Sequence, residues 1–173
     1  MGETQPKNIS ENKELSARLM AVQAYYQISQ NAKPIRMVVE EYLKNPQCID
    51  IDGEDLPKPH GGLFKRILFS VDERGAEVEA IIKAHVPSKA IIVKSGDEDE
   101  NSDEPMSTPA AKEIEPLLKS ILICGATEIL AHDDIDSALI IDDYLNVTHA
   151  YYEKQQASLV NGILDKVSKL VRS

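Results

Sequence analysis

The chain has 173 residues, 19 basic and 29 acidic side chains, and a formal charge of −10. An apolar share of 42% supplies a real core and excludes wholesale disorder. Two cysteines, Cys48 and Cys124, are too few for a disulfide framework or a cysteine metal site. No charged start leads into an apolar run and no stretch approaches ~20 apolar residues, so neither a secretory signal nor a membrane span is expected, and the reading is cytoplasmic. The acidic balance argues against a general nucleic-acid binder. Yet half of the excess falls within Lys94–Thr108, six acids against one base, and the first 44 residues carry six bases against five acids.

In chain order, residues 1–10 read as a disordered tail, and 11–173 as one domain in two helical halves, 11–93 and 110–172, joined by an acidic loop at 94–109. Leu15, Leu19, Val22 and Tyr26 recur at helical spacing and predict a first helix over 11–30. A second follows Pro34, carries Val38, Val39, Tyr42 and Leu43, and ends at Asn45-Pro46. A third spans Gly62–Val71, with Leu63, Phe64, Ile67, Leu68 and Val71 inward. A fourth carries Val78, Ile81, Ile82 and Val86 and stops at Pro87. Ala90–Val93 is apolar but too short to assign. The acids of Gly96–Pro109 repel one another and favour a solvated loop. Beyond it, 110–132 predicts the strongest helix, with Ile114, Leu117, Leu118, Ile121, Leu122 and Ile129 on one broad stripe. Two more follow: 135–152 with Ala138, Ile141, Leu145, Thr148 and Tyr152 inward, and 154–171 with Val160, Ile163, Leu164, Val167, Leu170 and Val171 inward. The fold class is all-α, about seven helices in two antiparallel groups.

No catalytic or metal-ligating constellation emerges. His60, His85, His132 and His149 do not pair at ligand spacing. His132-Asp133-Asp134 reads as a helix end followed by a helix cap. Asp50–Asp55 lacks the twelve-residue calcium pattern, and no phosphate-loop lysine follows Gly61-Gly62. Neither enzymatic activity nor a cofactor nor a metal is expected.

Two segments resemble the transcription antitermination factor NusB family. Arg18-Leu19-Met20-Ala21-Val22-Gln23-Ala24-Tyr25-Tyr26-Gln27 is similar to the family's first helix, an arginine followed by Ala-Val-Gln-Ala-Leu-Tyr. Ile121-Leu122 through Leu130 resembles its Leu-Arg…Tyr-Glu-Leu helix. Asp134-Ile135-Asp136 resembles its Asp-Val-Pro connection, and Ile141-Asp142-Asp143 stands where it has Ile-Asn-Glu. Leu159 through Lys166 resembles its Phe-Val-Asn-Gly-Val-Leu-Asp-Lys signature. The resemblance implies an all-helical fold in two subdomains and a factor of the transcription elongation complex. It implies pairing with NusE, a small-subunit ribosomal protein, on boxA RNA of ribosomal RNA operon leaders.

For the RNA face, Lys13 and Arg18 are the expected phosphate contacts, Tyr26 a stacking or hydrogen-bonding group, and Gln23 its neighbour. Both cations are expected at the surface. Asn161-Gly162, unfavourable inside a helix, is expected to serve a close approach by a neighbouring helix. The chain departs from the family in keeping only two bases before the first motif, in Ile123 for an arginine, in Leu159 for a phenylalanine and in Asp142 for an asparagine. Each change lowers the expected affinity for RNA. A second reading is therefore a module of the same fold that has lost RNA and uses its acidic surface for a basic protein. A third, the N-terminal domain of an RNA methyltransferase, lacks any cofactor motif.

Overall fold

The computed structural model describes residues 12–44, 60–86 and 114–172. Six helices fill them: α1 (Lys13–Asn31), α2 (Ile35–Lys44), α3 (Gly61–His85), α4 (Pro116–Ala131), α5 (Ser137–Tyr151) and α6 (Lys154–Val171). The tail at 1–10, Ala90–Val93 and the acidic loop lie outside the described residues.

Local chemistry starts and stops these helices. Asn12 caps α1, its side-chain oxygen accepting from Glu14 N at 3.1 Å and Leu15 N at 3.0 Å. Ala32 ends α1 in the left-handed region at φ 52°, its N–H donating to Ile28 O. His60 Nδ1 accepts from Leu63 N at the start of α3, and Asp136 does the same for α5 through Ala138 N. The guanidinium of Arg172 closes the other end of α4. It donates to Ile129 O at 2.9 Å, His132 O at 2.7 Å and Ile135 O at 2.6 Å. A cation thus satisfies carbonyls that the end of a helix leaves open and complements its dipole.

Helix α4 is the axis of the molecule, packed against α1, α3, α5 and α6. Leu118 and every residue from Ser120 to Ile129 are buried. The single stripe expected there is therefore too narrow, because a helix surrounded by four others hides all its faces. At Gly125 a side-chain carbon would meet Leu164 Cδ1 at 3.1 Å and Tyr144 Cγ at 3.2 Å, so the bare backbone is what lets α5 and α6 close on α4.

Three sequence expectations are corrected. The third and fourth helices are one continuous α3. Phe64, Ile67, Leu68, Val71, Val78 and Ile82 keep one helical register straight through Gly75, so burial of that stripe overrides a locally weak residue. In α5 the buried face is Ile140, Asp143, Tyr144, Val147 and Thr148, while Ala138 is exposed. In α6 the stripe Val160, Ile163, Leu164 and Val167 is buried as expected, but Leu170 is exposed. Among the described helices none is long and apolar enough to cross a membrane.

Candidate nucleic-acid interface

The expected site residues all lie on α1, and its rotation separates them. Lys13 is exposed in the first turn, where its carbonyl accepts from His60 N at 3.2 Å. Gln23 and Tyr26 sit in the second half. Thirteen residues of helix place Tyr26 roughly 20 Å from Lys13 and on another side. The four residues do not form one patch.

Arg18 departs most from expectation: it is 1% exposed. Its Nε donates to Glu128 Oε2 at 2.8 Å, its Nη2 to Glu128 Oε1 at 3.1 Å, and its Nη1 to Asp143 Oδ2 at 2.8 Å. No phosphate can reach this guanidinium. The planar fork of arginine suits two carboxylates at once, and the low local dielectric strengthens each bond. Burial alone would lower the Arg18 pKa and raise that of Glu128. The charges of Glu128 and Asp143 outweigh this for Arg18 and push it up. His132 and Arg18 outweigh it for Glu128, whose carboxyl is held below the usual range. His132 Nδ1 stands 3.4 Å from Glu128 Oε1, and its Nε2 is 3.1 Å from Ser70 Oγ. The network joins α1, α3, α4 and α5 and fixes α1 against rotation. Sequence reasoning missed Glu128, Asp143 and His132. Their signal was a carboxylate in an otherwise apolar run, which in a buried helix demands a cation.

The other end of α1 does build a surface. Tyr26 is 38% exposed. Beside it Gln23 Nε2 donates to Tyr151 Oη at 2.8 Å, at the end of α5. Tyr152, the next residue, donates its hydroxyl to Glu115 at the start of α4. Burial and then that carboxylate push the Tyr152 phenol up, so it stays a donor at neutral pH. Three tyrosines and an amide are thus presented at one end of the bundle, on helix ends held by the central packing. Lys154, exposed, opens α6 immediately after. Aromatic faces and amides on a rigid frame can stack unpaired bases and hydrogen-bond their edges.

Asn161 and Gly162 are both exposed, and nothing lies within 4 Å of where a Gly162 side chain would start. The expected close approach of a neighbouring helix is absent among the described residues. Cys124 is buried in α4, where burial and then Glu128 push its thiol up. Among the described residues no group of three potential metal ligands comes together.

The helical bundle that displays these aromatic and amide groups at one end has the NusB fold. Two solved structures share it. The crystal structure of antitermination factors NusB and NusE in complex with dsRNA matches with a TM-score of 0.63, 13% identity, and coverage of 90% of this chain and 96% of that one. T. maritima NusB matches with a TM-score of 0.59, 17% identity, and coverage of 90% and 89%. The family model described as NusB family matches residues 103–169. The transcription antitermination protein NusB of Novosphingobium aromaticivorans is 27% identical over 164 residues, 95% of this chain and 98% of its own length. That of Mesorhizobium japonicum is 28% identical over 161 residues, 93% and 92% of the two chains. That of Hyphomonas neptunium is 23% identical over 173 residues and the full length of both. The chain therefore has the NusB fold and is similar to NusB proteins over nearly its whole length.

Proposed function

We propose that this chain is a cytoplasmic, non-catalytic antitermination factor that pairs with NusE on boxA RNA of ribosomal RNA operon leaders, acting within the transcription elongation complex. The observation that carries the reading is the aromatic end of the bundle, where exposed Tyr26 stands beside the Gln23–Tyr151 bond and Tyr152. Tyr26 stacks on an unpaired base, and Gln23, steered by Tyr151, presents its amide carbonyl. Lys13 contributes a phosphate contact from the far end of α1. Arg18 acts as a positioning residue that holds α1 in register. Residues 11–173 work as one domain.

A second reading draws on the charge pattern. Lys33, Arg66, Arg74, Lys83, Lys119 and Lys169 are all ion-paired with the chain's own carboxylates. That reduces the free positive charge for phosphates and favours a basic protein partner. Titration with boxA RNA over a salt series, with and without NusE, separates the two. The NusE pair is expected to bind boxA more tightly than this chain alone, and RNA to tighten NusE binding by the same factor. Tyr26→Ala is expected to weaken RNA binding with helical content unchanged. If neither the chain nor its mixture with NusE prefers boxA to a scrambled RNA at low salt, the acidic interaction module takes its place.

A further inference from the structure

The face between α2 and α3 carries a feature that the Tyr26 end does not use. Phe69 on α3 is half-buried, its ring packed in part against the core. Arg36 of α2 places its guanidinium carbon 5.1 Å from the ring centroid, and Lys65, one turn before Phe69, places its ammonium 5.3 Å from it. Both cations are exposed. Unlike the six paired bases named above, neither has a carboxylate partner among the described residues. Two like charges are thus gathered within about 10 Å, a Debye length at ordinary ionic strength, in a chain whose net charge is −10.

We propose that Arg36 and Lys65, held over Phe69, bind the sugar–phosphate backbone of a single-stranded RNA. The inference rests on the RNA-binding reading above and extends its track to a second contact. The ring quadrupole holds each cation in place before any ligand arrives, so less side-chain freedom is lost on binding. Two phosphates of the strand, one at each cation, relieve their mutual repulsion. Continuity with the Tyr26 end favours RNA. The turn Ala32–Pro34 sets the start of α2 at the end of α1, so Arg36 follows Tyr26 by ten residues across one reversal. Met37, next to Arg36 and 54% exposed, offers an apolar edge to a base. Asp72 and Glu73, one turn beyond Phe69, and Glu40, one turn beyond Arg36, bound the patch. They repel phosphate on those sides.

The test is a fluorescence anisotropy titration of the full chain with a labelled single-stranded RNA dodecamer containing boxA, in the presence of NusE, over a salt series. The variant Arg36→Ala/Lys65→Ala is expected to weaken binding about tenfold at low salt. It should lower the log–log salt slope by about 1.4, two single-strand phosphate contacts, with an unchanged melting curve. Phe69→Leu keeps both charges and loses the platform; it is expected to weaken binding severalfold. Tyr26→Ala is titrated alongside. If Tyr26→Ala weakens binding while the double variant matches the parent in affinity and slope, the RNA reading stands and this contact is wrong. If the double variant loses affinity for NusE but keeps its RNA slope, the face is a protein contact and the proposal is overturned. If the parent with NusE shows no salt-dependent RNA binding, both readings fall together.

Discussion

Arg18 on α1 and Glu128 on α4, 110 positions apart in the chain, meet through two parallel bonds of 2.8 and 3.1 Å with neither side chain reaching solvent. Asp143 completes the arrangement from α5. Removing the cation leaves two carboxylates buried without compensation. Arg18→Met is expected to cost about 3–5 kcal/mol, read from the urea midpoint. Arg18→Lys should recover only part of this, since one ammonium cannot present a fork to Glu128 and reach Asp143 as well. An exchange of Lys13 and Arg18 together therefore cannot test RNA binding cleanly, and Lys13→Ala alone is the variant to use.

The same pair sets a pH dependence. Glu128 has its carboxyl held below the ordinary range once His132 and Arg18 outweigh burial. Its contribution is complete above the unfolded carboxylate pKa of about 4.3 and is lost as pH falls through the lower folded value. In Arg18→Met burial becomes the stronger influence, so the carboxyl takes up a proton more readily when folded and stability rises on acidification. Urea unfolding of both proteins from pH 7 down to pH 4 should show the gap between them narrowing.

Two glycines should answer the same substitution with opposite signs. Gly162 is exposed in α6 with open space around it, so Gly162→Ala should stabilise by roughly 0.5–1 kcal/mol through helix propensity. At Gly125 the added carbon would meet Leu164 and Tyr144 at 3.1–3.2 Å. Gly125→Ala should destabilise by about 1–3 kcal/mol from overpacking. Thermal melts of the two variants check both.

Arg172 makes three bonds to carbonyls around the end of α4. Arg172→Ala should cost about 2–3 kcal/mol, given the strength of bonds from a charged donor. Hydrogen exchange should show the loss first at the α4–α5 turn.

What the sequence made legible follows from where packing agrees with local pattern. Helices α1, α2, α5 and α6 stand within a few residues of their expected bounds because their apolar residues recur at helical spacing, and Asn12, Pro34 and Asp136 mark the starts of the first three. The fused α3 was hidden by Gly75, whose local cost is overruled only once a partner helix buries the stripe on both sides of it. The central position of α4 was hidden because a stripe analysis assumes one wet face. Arg18 was read as a surface cation because nothing local shows that its partners lie 110 and 125 residues away. Gln23 and Tyr26 were identifiable as a pair by helical spacing, whereas Tyr151 and Tyr152 join them only through the tertiary meeting of α1 with α5.

The central place of α4 also orders events during synthesis. A ribosome adding about 5–20 residues per second releases Arg18 roughly 5–20 s before Glu128. Through that interval α1, joined later by α3, lacks the helix that covers it, and the guanidinium lacks its buried carboxylate partners. The first half of the chain must remain unlocked, and open to holding by chaperones, until α4 emerges.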